Sequence, residues 1–68
     1  MRIVDKQIIR KPNGIILGYV ETDQEGNQTA RDFSGKILGY YDKRSDLTRD
    51  FYGRVTTYGN SVIGFLYK

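Results

Sequence analysis

Apolar and polar positions alternate along this chain in short runs of five to eight residues rich in Ile, Val, Thr, Tyr and Phe. Branched and aromatic side chains at period two suit a pleated, half-buried surface, so each run predicts a strand. Turn chemistry separates the runs: Pro12-Asn13-Gly14, Gln24-Glu25-Gly26-Asn27, Ser34-Gly35, Tyr52-Gly53 and Gly59-Asn60. No stretch has a convincing helical period. Asp42, Asp46 and Asp50 are spaced i, i+4, but Leu47 is the one apolar residue between them, so this segment predicts a loop entering a strand.

The runs also resemble one another. Gly14-Ile15-Ile16-Leu17-Gly18-Tyr19 matches Gly35-Lys36-Ile37-Leu38-Gly39-Tyr40, and Gly53-Arg54-Val55-Thr56-Thr57-Tyr58 is a decayed third copy. Arg31-Asp32-Phe33-Ser34-Gly35 matches Arg49-Asp50-Phe51-Tyr52-Gly53 in the same way. Each unit is an up-strand, a loop and a down-strand, and such units bury a face only by stacking on neighbours. The N-terminal segment through Gly14 and the C-terminal Asn60-Ser61-Val62-Ile63-Gly64-Phe65-Leu66-Tyr67-Lys68 read as partial copies that pair to close the structure. The expected fold is all-β: a single domain over 1–68, an antiparallel meander of about seven short strands in hairpin repeats of about twenty residues, curled or closed into a small barrel-like sheet.

Alternation assigns the faces. One carries Ile16, Ile37 and Val55, then Gly18, Gly39 and Thr57, then Val20 and Tyr41; free of charge, it is the expected core. Its mid-strand glycines permit bending or close backbone approach. The other carries Lys36 and Arg54, Leu17 and Leu38, and Tyr19, Tyr40 and Tyr58; these seven are the candidate contact residues.

Length and charge narrow the function. A chain of 68 residues buries only about 60% of its unfolded surface and calls for a supplement to its core. With no cysteine and no histidine, disulfides, thiolate metal sites and the commonest general base are absent. Self-association is the supplement left. The net charge of +3 is spread among interleaved acids and bases, with no basic tail. The charged N-terminus is no signal peptide, and no apolar run is long enough to span a membrane, so the expected location is cytoplasmic.

Asp32-Phe33-Ser34-Gly35-Lys36-Ile37 and Asp50-Phe51-Tyr52-Gly53-Arg54-Val55 both read D-x-x-G-[K/R]-[I/V]. This resembles the core of the YD-type repeats of Rhs and teneurin-like shell proteins, with Arg31 and Arg49 where those repeats carry tyrosine. The chain is also similar to small bacterial β-flower-type proteins, whose short G-x-V-I-G-Y hairpins surround a pseudo-symmetry axis. Both resemblances imply a repeat-built, non-catalytic β scaffold.

Candidate chemistry is sparse. There is no nucleophile elbow, P-loop, zinc motif or dinucleotide fingerprint. Asp32 and Asp50 are equivalent carboxylates beside Arg31 and Arg49, which reads as charge pairing on a sheet. Glu21-Thr22-Asp23-Gln24-Glu25-Gly26, with Asp32 at the twelfth position, imitates a calcium loop. The flanks are strands and the twelfth residue is no glutamate, so it reads as an acidic hairpin loop. No catalytic residue, metal site or cofactor is expected. The expected function is a non-catalytic protein-interaction or assembly module working with a protein partner or with itself, possible as a homodimer. The alternative is single-stranded nucleic-acid binding, with tyrosines as stacking platforms beside Lys36 and Arg54.

Overall fold

Hairpin follows hairpin in the computed structural model, which describes residues 2–67. Strands β1 (Ile3–Arg10), β2 (Ile16–Asp23), β3 (Gln28–Asp32), β4 (Ile37–Asp42), β5 (Leu47–Asp50) and β6 (Val55–Tyr58) form one antiparallel sheet whose spatial order is the chain order. A 3-10 helix, Val62–Leu66, ends the described chain.

The strands turn where the D-x-x-G sequences place them. Asp32 and Lys36 close the β3–β4 turn through Asp32 N–H to Lys36 O (2.9 Å) and Gly35 N–H to Asp32 O (3.0 Å). Asp50, Gly53 and Arg54 close the β5–β6 turn with the same two bonds, at 2.8 and 2.9 Å. Lys11, Gly14 and Ile15 make that pair again between β1 and β2. Gly35 and Gly53 sit at φ of +94° and +87°, a region that a Cβ makes costly. The carboxylate completes the turn: Asp32 Oδ1 accepts from Ser34 N–H and Lys36 N–H, and Asp50 Oδ1 from Tyr52 N–H and Arg54 N–H.

Pairing across these turns recurs as well. Arg10 faces Ile16, Arg31 faces Ile37 and Arg49 faces Val55, each next to a register shift in its strand pair. The residues skipped by the shifts are Leu17, Leu38 and Thr56, so each is the extra residue of a β-bulge.

One face of the sheet is roofed. Ile9, Val20 and Ala30 are buried there beneath Val62 and Leu66 of the 3-10 helix, with Phe65 packed against them. Gly18 and Gly39 make room for the roof. A Cβ on Gly39 would lie 2.4 Å from Phe65 Cε2 and 2.8 Å from Arg49 O; one on Gly18 would meet Arg31 O at 2.1 Å and Leu66 Cδ2 at 2.6 Å. The chain is tied down on its way to the roof by buried Thr48, whose Oγ1 donates to Gly59 O (2.7 Å) and accepts from Ser61 N–H (3.0 Å).

Two expectations are corrected. Among the described residues the strands number six, and their sheet is open, with β1 and β6 at opposite edges. Both corrections have one cause: the described part of the C-terminal segment forms a 3-10 helix in place of a seventh strand. The helix buries Val62 and Leu66 in the core, with Leu66 seated over Gly18 and Phe65 over Gly39 in the space the two glycines leave. The expected core face is also only partly buried. Gly18, Val20 and Gly39 lie under the roof, whereas Ile16, Val55 and Thr57 are exposed.

Candidate interaction face

Among the described residues, no layer covers the other face of the sheet. Tyr19 stands opposite Arg31 on β3, and Tyr40 stands between Thr29 on β3 and Arg49 on β5. Tyr58 stands opposite Leu47, two residues from Arg49 on the same face. All three tyrosines therefore share one surface. Tyr19 and Tyr40 are half-buried among their neighbours, whereas Tyr58, on the edge strand, is 87% exposed.

Charge holds this surface in a fixed pattern. Arg31 Nε donates to Glu21 Oε1 at 2.7 Å, and Arg31 Nη1 reaches Gly35 O at 2.9 Å. The Glu21 hydrogen bond keeps the guanidinium more firmly protonated than usual. Arg49 Nη1 makes the equivalent bond to Gly53 O at 3.0 Å. Each R-D-x-x-G sequence is thus a self-bracing turn: the arginine caps the glycine carbonyl and the aspartate caps the amides. Lys6 Nζ lies 4.2 Å from the Tyr19 ring centroid, so one face of that ring already holds a cation.

The remaining candidates sit elsewhere. Leu17 and Leu38 pack against the buried cluster on the roofed side, because the bulges interrupt the alternation that would place them beside the tyrosines. With Ile16, Phe33, Phe65 and Leu66 they line an open apolar groove of about 410 Å³. Lys36 is exposed at the end of the β3–β4 turn, its backbone N–H bound to Asp32. Arg54 occupies the matching place after β5 and folds back on its own loop, 3.3 Å from Asp50 Oδ2 and 5.5 Å from the Tyr52 ring centroid. The residues absent from the candidate list are Arg31 and Arg49. Their signal was the pair of R-D sequences, whose arginines fall opposite tyrosines once the hairpin register is drawn.

The carboxylates are committed to structure. Asp23, 2% exposed, accepts from Glu25 N–H and Asn27 N–H at 2.9 and 3.0 Å, which turns the calcium-like loop into a third D-x-x-G turn. Asp32 is held below the ordinary carboxylate range chiefly by the Ser34 hydroxyl, and Asp50 chiefly by the Arg54 amide. No group of three or more acidic residues suited to a metal ion occurs among the described residues. No helix among them is long and apolar enough to cross a membrane. A wide groove of about 850 Å³ between the 24–27 and 43–46 loops mixes Asp23, Glu25 and Asp42 with Lys43, Arg44, Tyr40 and Tyr41, without convergence on one charge. No family model, curated protein or solved structure matches the chain.

Proposed function

We propose that the chain is a non-catalytic protein-interaction or assembly module built from β-hairpin repeats. The observation that carries this reading is the division of the sheet into a roofed face and an open one, the open one bearing Tyr19, Tyr40 and Tyr58 among Arg31 and Arg49. Tyrosine and arginine are the residue types that supply most binding energy at protein contacts. The commitment of Asp23, Asp32 and Asp50 to turn amides weighs against acid–base chemistry.

Single-stranded nucleic acid is the second reading, favoured by the same interleaving of aromatic and basic side chains. Lys6 over Tyr19 and Glu21 on Arg31 occupy groups that bases and phosphates would need, so protein contact is the stronger reading. Sedimentation velocity over a range of concentrations tests it, with wild type beside a Tyr40→Ala, Tyr58→Ala variant. Wild type should associate, and the variant should stay monomeric while keeping a cooperative melt. A wild type that is monomeric throughout, yet binds short single-stranded oligonucleotides with steep salt dependence, would hand the function to the second reading.

A further inference from the structure

The geometry points to a second copy of this chain as the partner, joined edge to edge with β6 of one copy paired antiparallel to β1 of the next. This deepens the assembly reading and rests on it. Two kinds of strand pair alternate across the sheet. Down-strand to up-strand pairs are β1·β2, β3·β4 and β5·β6, matched by Arg10 on Ile16, Arg31 on Ile37 and Arg49 on Val55. Up-strand to down-strand pairs are β2·β3 and β4·β5, matched by Tyr19 on Arg31 and Tyr40 on Arg49. The third pair of this second kind is missing. It would join β6, the third up-strand, to a down-strand, and the down-strand without such a neighbour is β1.

The unpaired edges carry the matching side chains. Tyr58 is the third tyrosine, exposed on the outer strand, and Arg10 is the third arginine, exposed at the end of β1. Arg10 also leads into a turn, Lys11 to Ile15, with the backbone bonds of the two R-D-x-x-G turns. Transferring the observed register places Tyr58 opposite Arg10 of the second copy and Thr57 opposite its Lys11. Pairing within one chain is blocked by distance, since five strand spacings separate the edges, about 24 Å across the sheet. The 3-10 helix packs over β2, β3 and β4 and leaves the outer side of β6 clear. An edge joined this way is heterologous, so each copy keeps one free edge and addition continues until a ring closes or a filament forms. The open tyrosine–arginine faces then run on as one surface.

The chain has no cysteine, which makes cross-linking a clean test. Single variants Thr57→Cys and Lys11→Cys, which keep Tyr58 and Arg10, are mixed, oxidised gently and compared with a mixture of Thr57→Cys and Gln7→Cys. Directly opposed residues of antiparallel strands lie within disulfide range, whereas position 7 is displaced by four residues, about 13 Å along the strand. The expected result is a mixed disulfide formed at least tenfold faster with Lys11→Cys than with Gln7→Cys, alongside wild-type species larger than a dimer in sedimentation. Equal rates for the two mixtures would overturn the edge junction. If wild type still associates under that outcome, the assembly reading stands and only the junction fails; if it is monomeric, both fail. A disulfide forming within a single chain of the Thr57→Cys, Lys11→Cys double variant would also overturn the proposal, by showing that the sheet closes on itself.

Discussion

A methyl group at residue 39 has nowhere to go. Its carbon would lie under 3 Å from both Phe65 and the Arg49 carbonyl, and a backbone carbonyl in a paired strand cannot step aside. Overpacking of this kind costs about 1–3 kcal/mol, so Gly39→Ala should lower the denaturant midpoint, and Gly18→Ala should do the same against Arg31 O and Leu66. An unchanged midpoint in both would mean the roof does not rest on the glycines. The turn aspartates act through charge. Asp32 and Asp50 both lie below their ordinary value of 3.8 when folded, because the Ser34 hydroxyl in one case and the Arg54 amide in the other bind the ionised form. Their contribution is therefore complete above the unfolded value and drains away as pH falls through the lower folded value. Melts followed by circular dichroism should show stability dropping below about pH 4, and the drop should shrink in an Asp32→Asn, Asp50→Asn variant. A drop of the same size in that variant would move the acid sensitivity to other carboxylates.

At the scale of elements, the 3-10 helix is the piece on which the hydrophobic core depends. Ile9, Val20 and Ala30 are buried on the sheet side and Val62 and Leu66 on the roof side, so removing either side exposes the other. Leu66→Ala should cost about 2–5 kcal/mol, enough to unfold most molecules of a domain this small, while Ile63→Ala on the exposed side should leave the melt nearly unchanged. Equal losses in the two variants would show that the roof is not seated as described. The strands and turns of this architecture were legible because alternation and D-x-x-G chemistry are local signals. The roof was not. Val62-Ile63-Gly64-Phe65-Leu66 has the composition of a strand, and only the pockets over Gly18 and Gly39, made by strands distant in sequence, select the helical turn. The contact face divides along the same line. Tyr19, Tyr40 and Tyr58 follow from period two, but Leu17 and Leu38 were misplaced by bulges that no periodic reading contains.

For the whole molecule the limiting quantity is buried apolar surface. Five hydrophobic side chains are buried among the described residues, and one of them is an alanine, while Ile3, Val4, Ile8, Phe33 and Tyr58 all stand exposed. A slab with Cα extents of 35 × 24 × 18 Å has one thin core layer, between the sheet and its roof. Conformational entropy grows with every ordered residue, so a core so thin leaves a small net margin. Association adds to that margin by mass action, because copies that bind each other folded but not unfolded pull the equilibrium toward the native state. The melting temperature should therefore rise with protein concentration. A tenfold increase in a monomer–oligomer equilibrium is worth up to about 1.4 kcal/mol per chain, which for a domain of this size moves the midpoint by several degrees. Scanning calorimetry at three concentrations a decade apart reads this directly, and the Tyr40→Ala, Tyr58→Ala variant should give superimposable midpoints. A concentration-independent midpoint in wild type would mean that the single layer beneath the 3-10 helix holds the fold by itself and that the open face contributes nothing to stability.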